Sequence, residues 1–311
     1  MDRPEHSLND LMARPRPSIF AAEAVLLFAA IGLWIASLLT ARVAPAEGAA
    51  REFIFDALYY LPFVVMPIAL YAARRPGLTA SMRFNPMPPL STLGVALAAL
   101  ISVYVASAAD GLWALALNAL GLHEPGRAMR FADSRALSLA ILHAAAIPAV
   151  CEELLFRGFL FPAFERRGTG LAIWVSAAMF ALMHGNVYGL PAYFLVGAVS
   201  AFLVFALDSL YAGIVYHTVY NAFILVALYL LPQTDEAAAP QPAMLMSVAI
   251  DALVLGALLY LILKSMDLRR RARGIEPVPC IGQPLRRGEW ALMLALAAVF
   301  IGTSALVLMG V

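Results

Sequence analysis

Charged residues are scarce in this chain. Its 311 residues include 21 Lys or Arg and 20 Asp or Glu, so that 13% are charged, against about 25% in ordinary soluble domains. The two signs nearly cancel, to a formal net charge of +1. A soluble domain needs a charged surface, and a nucleic-acid binder needs a basic one. The composition therefore excludes most soluble enzymes and predicts no nucleic-acid partner.

Cysteine is also nearly absent. Cys151 and Cys280 are the only two in the sequence, which is too few for a disulfide framework. Neither residue belongs to a redox or metal-binding motif, so the sequence gives no indication of redox chemistry.

Hydrophobic residues make up 63% of the chain. A membrane span needs about 20 mostly apolar residues, and nine stretches are candidates. They are Ile19–Ala41, Phe53–Ala73, Ser91–Leu120, Ala136–Phe164, Leu171–His184, Pro191–Leu207, Tyr211–Leu231, Ala243–Leu263 and Trp290–Met309. Strand alternation is absent. The sequence predicts an all-α polytopic membrane bundle of about eight or nine transmembrane helices. The short fifth and sixth stretches are either two short spans or a broken, partly re-entrant pair.

Basic residues in the loops indicate the orientation. Cytoplasmic loops carry an excess of Lys and Arg, and a cytoplasmic N-terminus places most basic loops on that side, including the long loop 264–289. One loop, with Arg127, Arg130 and Arg135, runs against this assignment. We expect residues 1–135 to form a tail and three spans, residues 136–231 a catalytic core, and residues 232–311 two further spans.

Ionisable residues inside spans indicate function by default, because they are costly there. On a helix, Glu153 lies next to Arg157 at i+4, which leaves Glu152 on another face without an Arg at that spacing. Phe180 shares a face with His184, and His217 with Asn221. Other ionisable residues have simpler interpretations. We expect solvent at the span ends to stabilise four of them, Glu23, Asp56, Asp208 and Asp251. We expect the other two, Asp110 and His143, to form hydrogen bonds between helices.

A carboxylate, two imidazoles and an amide in apolar surroundings suit the activation of water. Glu152 is predicted to be the general base, and His184 and His217 to orient the water or to bind a metal. Asn221 is predicted to donate to an oxyanion. The predicted reaction, inside the bundle, is amide hydrolysis, or acyl transfer to an amine. The sequence has no His-Glu-x-x-His helix, Gly-x-Ser-x-Gly elbow or Gly-x-Gly-Asp motif. Cys151 points away from Glu152 and is disfavoured as a nucleophile.

These residues carry a family resemblance. Glu152-Glu153-Leu154-Leu155-Phe156-Arg157-Gly158, Phe180-x-x-x-His184 and His217-x-x-x-Asn221 resemble, in order and spacing, the three motifs of the CPBP family. This family comprises the CAAX prenyl protease 2 and bacteriocin-processing (Abi) intramembrane proteases. The resemblance covers about Leu139–Leu231.

The resemblance implies a glutamate-dependent intramembrane endopeptidase with its site open towards the cytosol. Glu152 would activate water together with His184. His217 and Asn221 would complete the site, and Glu153 and Arg157 would support it. No cofactor is favoured. A zinc ion held by His184, His217 and Glu152 is the metal-dependent alternative.

The expected partners are the bilayer and a membrane-anchored protein or peptide substrate. The Ala- and Arg-rich composition with a single Lys indicates a bacterial inner-membrane protein. Two rival functions stay open: a non-catalytic membrane immunity or scaffold protein on the same fold, and a proton-coupled transporter.

Overall fold

Nine helices and no strand form the part of the chain that the computed structural model describes, residues 16–43, 49–73, 82–123, 131–231, 242–280 and 286–308. The helices are α1 (Ile19–Val43), α2 (Ala49–Ala73), α3 (Pro89–Ala119), α4 (Ser134–Glu165), α5 (Thr169–Met183), α6 (Leu190–Leu207), α7 (Leu210–Leu230), α8 (Pro242–Ala272) and α9 (Arg287–Leu308).

The helical membrane bundle predicted from the sequence is confirmed. Among the described residues, five helices are long and apolar enough to cross a membrane, namely α3, α4, α6, α7 and the Val248–Ala272 part of α8. Shorter apolar stretches lie in α1, α2 and α5. The predicted spans agree with the helices to within a few residues at most ends, because uninterrupted apolar runs decide both. Met309, the last residue of the ninth predicted span, lies outside the described residues.

Helix α4 has a widened turn at each of two places. Residues Leu142–Ala146 and Phe156–Leu160 are π-helical, and the N–H groups of Ile147 and Phe161 reach back five residues instead of four. Pro148 and Pro162 each lie two residues beyond the end of a widened turn. A proline ring clashes with the carbonyl four residues earlier in a regular helix, and the wider turn relieves that clash. Glu152 and Glu153 lie between the two π-helical turns.

Helices α5 and α6 form a hairpin whose tip is held from α3. At about 1.5 Å per residue, the 15-residue α5 is about 22 Å long, less than the roughly 30 Å hydrocarbon core. Trp113 of α3 donates from Nε1 to the Val187 carbonyl at 2.8 Å. The Ala192 N–H donates to Asp110 Oδ1 at 2.9 Å. Asp110 is thus an interhelical hydrogen-bonding residue, as expected.

A buried ionic cluster joins the helix ends on one side of the bundle. Arg83, before α3, donates to both Glu165 oxygens at 2.9 and 2.7 Å and to Asp208 Oδ1 at 2.9 Å. Arg16 Nη2 lies 3.2 Å from Glu165 Oε2. Glu165 and Asp208 hold the pKa of Arg83 above its usual value, although burial alone would lower it. We call Arg16, Arg83, Glu165 and Asp208 the end cluster.

The end cluster corrects one interpretation of the sequence. Solvation at the interface was expected for Asp208, Glu23 and Asp56, yet their exposed fractions are 3%, 0% and 7%. Asp208 is buried because it ends α6 in the left-handed conformation, with φ 48°, and pairs with a guanidinium from a distant loop. Asp251 of α8, by contrast, is exposed as expected.

Candidate active site

The first motif builds a neutralised ion pair in the middle of the bundle. Arg157 Nη1 donates to Glu153 Oε1 at 2.8 Å, and both side chains are fully buried. Arg157 Nη2 donates to the Gly197 carbonyl of α6 at 2.8 Å. The guanidinium also lies over the Phe180 ring, with its Cζ 4.6 Å from the centroid. The pairing predicted from the i+4 spacing is present, and it ties α4 to α5 and α6.

Glu153 also connects the first motif to the third. His217 Nδ1 lies 3.2 Å from Glu153 Oε1, and Ser200 Oγ donates to Glu153 Oε2 at 2.7 Å. A carboxylate can only accept, so the proton on this imidazole nitrogen belongs to His217, and Nε2 is the acceptor of the neutral ring. We call Glu153, Arg157, Ser200 and His217 the core cluster.

Close helix packing makes the core cluster possible. Gly213 of α7 faces Glu153, and a Cβ at this position would lie 2.4 Å from Glu153 Oε2 and 2.9 Å from Ser200 Oγ. A Cβ at Gly197 would lie 2.9 Å from the Ala177 Cα of α5. Side chains larger than hydrogen at these two positions would push the helices apart.

Glu152 faces α2 and stands apart from the core cluster. Its side chain is 8% exposed, and Oε1 accepts a hydrogen bond from the Tyr60 hydroxyl at 3.3 Å. The second oxygen, Oε2, is buried and has no hydrogen-bond partner among the residues that the structure describes. One carboxylate oxygen is therefore held by the protein, while the other makes no hydrogen bond to the described residues.

His184 caps the end of α5 near Glu152. Its Nδ1 lies 2.8 Å from the Phe180 carbonyl oxygen, which only accepts, so Nδ1 carries the proton. The ring stacks on Tyr193 of α6 with centroids 3.9 Å apart and an interplanar angle of 17°. Phe180 contacts both His184 and His217, with centroid distances of 4.8 and 5.5 Å. His184 is exposed and interacts electrostatically with Glu152 and His217. The three motifs therefore meet around Phe180.

Asn221 lies one helical turn beyond His217 and reaches α4. Its Nδ2 donates to the Ala144 carbonyl at 3.4 Å. Pro148 has no N–H to offer this carbonyl, so Asn221 replaces the missing donor of the first π-helical turn. An amide nitrogen carries two hydrogens, and the second one is left for another acceptor.

The arrangement does not fit a three-ligand zinc site. Within the described ranges, no group of three or more His, Cys, Asp or Glu side chains is placed to hold a metal ion. Both imidazole Nδ1 atoms are directed at protein oxygens, so that only the Nε2 atoms of these rings could bind a metal.

Three residues of the site were not predicted from the sequence, namely Tyr60, Tyr193 and Ser200. Tyrosine and serine are ordinary residues of apolar helices, and no spacing links Tyr60 to a partner 92 positions away. Ser200 could have been found through the nearby glycines Gly197 and Gly213, because small residues indicate close helix contacts in membranes.

Comparison with known families gives one match. Residues 134–223 match the family model described as "Type II CAAX prenyl endopeptidase Rce1-like". This segment contains all three motifs and confirms the resemblance that they carry. Searches of curated proteins and of solved structures gave no significant match.

Proposed function

We propose that this chain, whose residues 134–223 belong to the Rce1-like family of type II CAAX prenyl endopeptidases, is an intramembrane endopeptidase that uses Glu152 to activate water. One observation carries the proposal. Glu152 is a buried carboxylate with one oxygen hydrogen-bonded by Tyr60 and the other without a partner among the described residues. A general base needs such an oxygen within hydrogen-bonding reach of its water.

The other site residues have complementary roles in this proposal. The neutral His184 ring offers Nε2 as an acceptor to the same water. Glu152 removes a proton, the hydroxide adds to the scissile carbonyl, and Glu152 returns the proton to the leaving amine. Asn221, with its second amide hydrogen, would donate to the oxyanion, and His217, with Nε2 as acceptor, would help to orient the water. The core cluster fixes His217, and no cofactor enters these steps.

The substrate in this proposal is a membrane-anchored protein or peptide that is cleaved near the bilayer. The protein is an integral membrane protein, as its five candidate spans and its family support. We further propose a bacterial inner-membrane location with the N-terminus in the cytoplasm. The end cluster and the basic residues 269–273 would then lie on the cytoplasmic side.

Cleavage by purified protein tests the proposal. The wild-type protein in nanodiscs would be given a quenched fluorescent peptide with a farnesylated cysteine, and separately a peptide with a C-terminal transmembrane anchor. We expect cleavage of at least one probe, and a rate loss of about 100-fold or more in both Glu152→Gln and His184→Ala. Asp251→Asn, an exposed carboxyl of α8, is the matched control and should cleave like wild type.

The rival functions predict different results. Equal cleavage by wild type and Glu152→Gln contradicts the proposal. A non-catalytic scaffold predicts that Glu152→Gln keeps its biological role. A proton-coupled transporter predicts ion flux in proteoliposomes that the same substitution abolishes.

A further inference from the structure

A tyrosine outside the family-matched segment contacts the proposed base. Tyr60 lies in α2, whereas the match covers residues 134–223. Its hydroxyl donates to Glu152 Oε1 at 3.3 Å. Helix α2 packs against α4 along this contact, so the hydrogen bond forms at a helix interface and not through a loop.

Neighbouring aromatic rings hold Tyr60 in place. The Tyr60 ring lies 4.7 Å from the Tyr59 ring and 5.4 Å from the Phe63 ring, measured between centroids. Phe63 is fully buried. Rings packed in this way have few accessible rotamers, and the hydroxyl is therefore directed at one place, the Glu152 carboxyl.

The two carboxylate oxygens of Glu152 have different surroundings as a result. Tyr60 supplies a donor to Oε1, and no described residue supplies one to Oε2. A carboxyl group is planar, so anchoring one oxygen also limits where the other can point.

We infer that Tyr60 is a positioning residue, which holds Glu152 through Oε1 so that Oε2 is presented to the attacking water. The inference rests on the proposed function for its catalytic consequence. The hydrogen bond itself does not depend on that function. Helix α2 is then part of the active site, although the family match does not include it.

Several side chains interact electrostatically with Glu152. They are Tyr59 and Tyr60 from α2, Cys151 and Arg157 from α4, and His184 from α5. Tyr60 is the one for which the structure gives a direct hydrogen bond to Glu152. Removing its hydroxyl while keeping the ring therefore isolates a single contact.

Infrared spectroscopy of the purified protein at a fixed pH tests the hydrogen bond without a substrate. The carboxyl band of Glu152 is assigned as the band that Glu152→Gln removes. In Tyr60→Phe we expect this band to shift in frequency, because the carboxyl group loses a hydrogen bond. Tyr59→Phe, which removes the adjacent hydroxyl, is the matched control and should leave the band at its wild-type position. An identical band position in wild type and Tyr60→Phe refutes the inference.

Cleavage kinetics test the catalytic consequence. With the farnesylated peptide or the membrane-anchored peptide as substrate, Tyr60→Phe should lower kcat about 10- to 100-fold and leave KM unchanged. If kcat is unaffected while Glu152→Gln is inactive, the inference fails and the proposed function stands. If Glu152→Gln cleaves like wild type, the proposed function fails, and the infrared result still decides whether Tyr60 holds Glu152.

Discussion

The core cluster and the end cluster are both buried and both rich in charge, but the core cluster has beside it Glu152, a carboxylate outside its ion pairs. In the end cluster, Arg16 and Arg83 face Glu165 and Asp208, so opposite charges are matched. In the core cluster, Arg157 neutralises Glu153, and Glu152 next to it in the sequence has no cation of its own. Burying an unmatched charge is costly. The balanced charges of the end cluster can be explained by folding alone, whereas the additional buried carboxylate of Glu152 is explained by a role in catalysis.

Removing Arg157 should have the largest effect of any single change. The Arg157→Ala variant leaves Glu153 buried without its cation, which typically costs about 3–5 kcal/mol, and Glu153, the partner of His217, is then held less firmly. We expect loss of thermal stability and at least about 100-fold slower cleavage per folded molecule. Unfolding followed by circular dichroism in detergent, with activity normalised to folded protein, measures both. Arg271→Ala, at an exposed pair with Asp267, should change the stability by less than about 1 kcal/mol.

Removing Arg83 should affect stability alone. Arg83→Ala leaves Glu165 and Asp208 without this cation, again at a cost of about 3–5 kcal/mol. The end cluster is built on different residues from the site, so the activity of the molecules that remain folded should match wild type. The same two measurements apply. A loss of activity per folded molecule as large as that of Arg157→Ala would remove the distinction between the two clusters.

A methyl group at Gly213 tests how tightly the core cluster is packed. Its Cβ would lie 2.4 Å from Glu153 Oε2, and overpacking of this kind costs about 1–3 kcal/mol. Gly213→Ala should therefore lower the melting temperature and slow cleavage by displacing Glu153 and His217. Gly256→Ala on α8 is the control, because a Cβ there has no atom within 4 Å. Since alanine favours helix over glycine by about 1 kcal/mol, the control should be unchanged or more stable.

The smallest effect is expected where the segment after α8 docks on α5. Thr169 Oγ1 accepts from the Val278 N–H at 2.9 Å, and the Thr169 N–H donates to the Val278 carbonyl at 3.0 Å. Thr169→Val removes the first of these bonds, at a cost of about 0.5–1.5 kcal/mol. Hydrogen exchange should speed up at Val278 while cleavage stays at the wild-type rate. Unchanged exchange would show that the docking does not depend on the hydroxyl.

Sequence reasoning recovered most of the fold because each span is a long apolar run. The i+4 pair Glu153 and Arg157 was also recovered, since helical geometry alone brings these residues together. The assignment of catalytic roles to Glu152, His184, His217 and Asn221 stays a prediction that the cleavage assay tests. The contacts of the Phe180 ring with His184 and His217 agree with this assignment.

The contacts that were not predicted join distant parts of the chain. Arg83, which belongs to no motif, pairs with residues 82 and 125 positions away. Tyr60 has no motif at all. The widened turns of α4 had a readable signal, because Pro148 and Pro162 lie inside an otherwise helical pattern and a proline there displaces the backbone hydrogen bonds.

The widened turns have a consequence for how this helix tolerates deletions. Each π-helical turn equals one residue inserted into a regular helix, and one residue corresponds to a rotation of about 100°. Deleting one residue from 142–146 would restore regular winding there and leave the parts of α4 on either side facing the same directions. The angular position of Glu152 and Glu153 therefore tolerates a one-residue deletion within this widened turn, whereas a one-residue deletion in the regular stretch 147–151 would rotate the two by about 100° relative to the preceding part of α4.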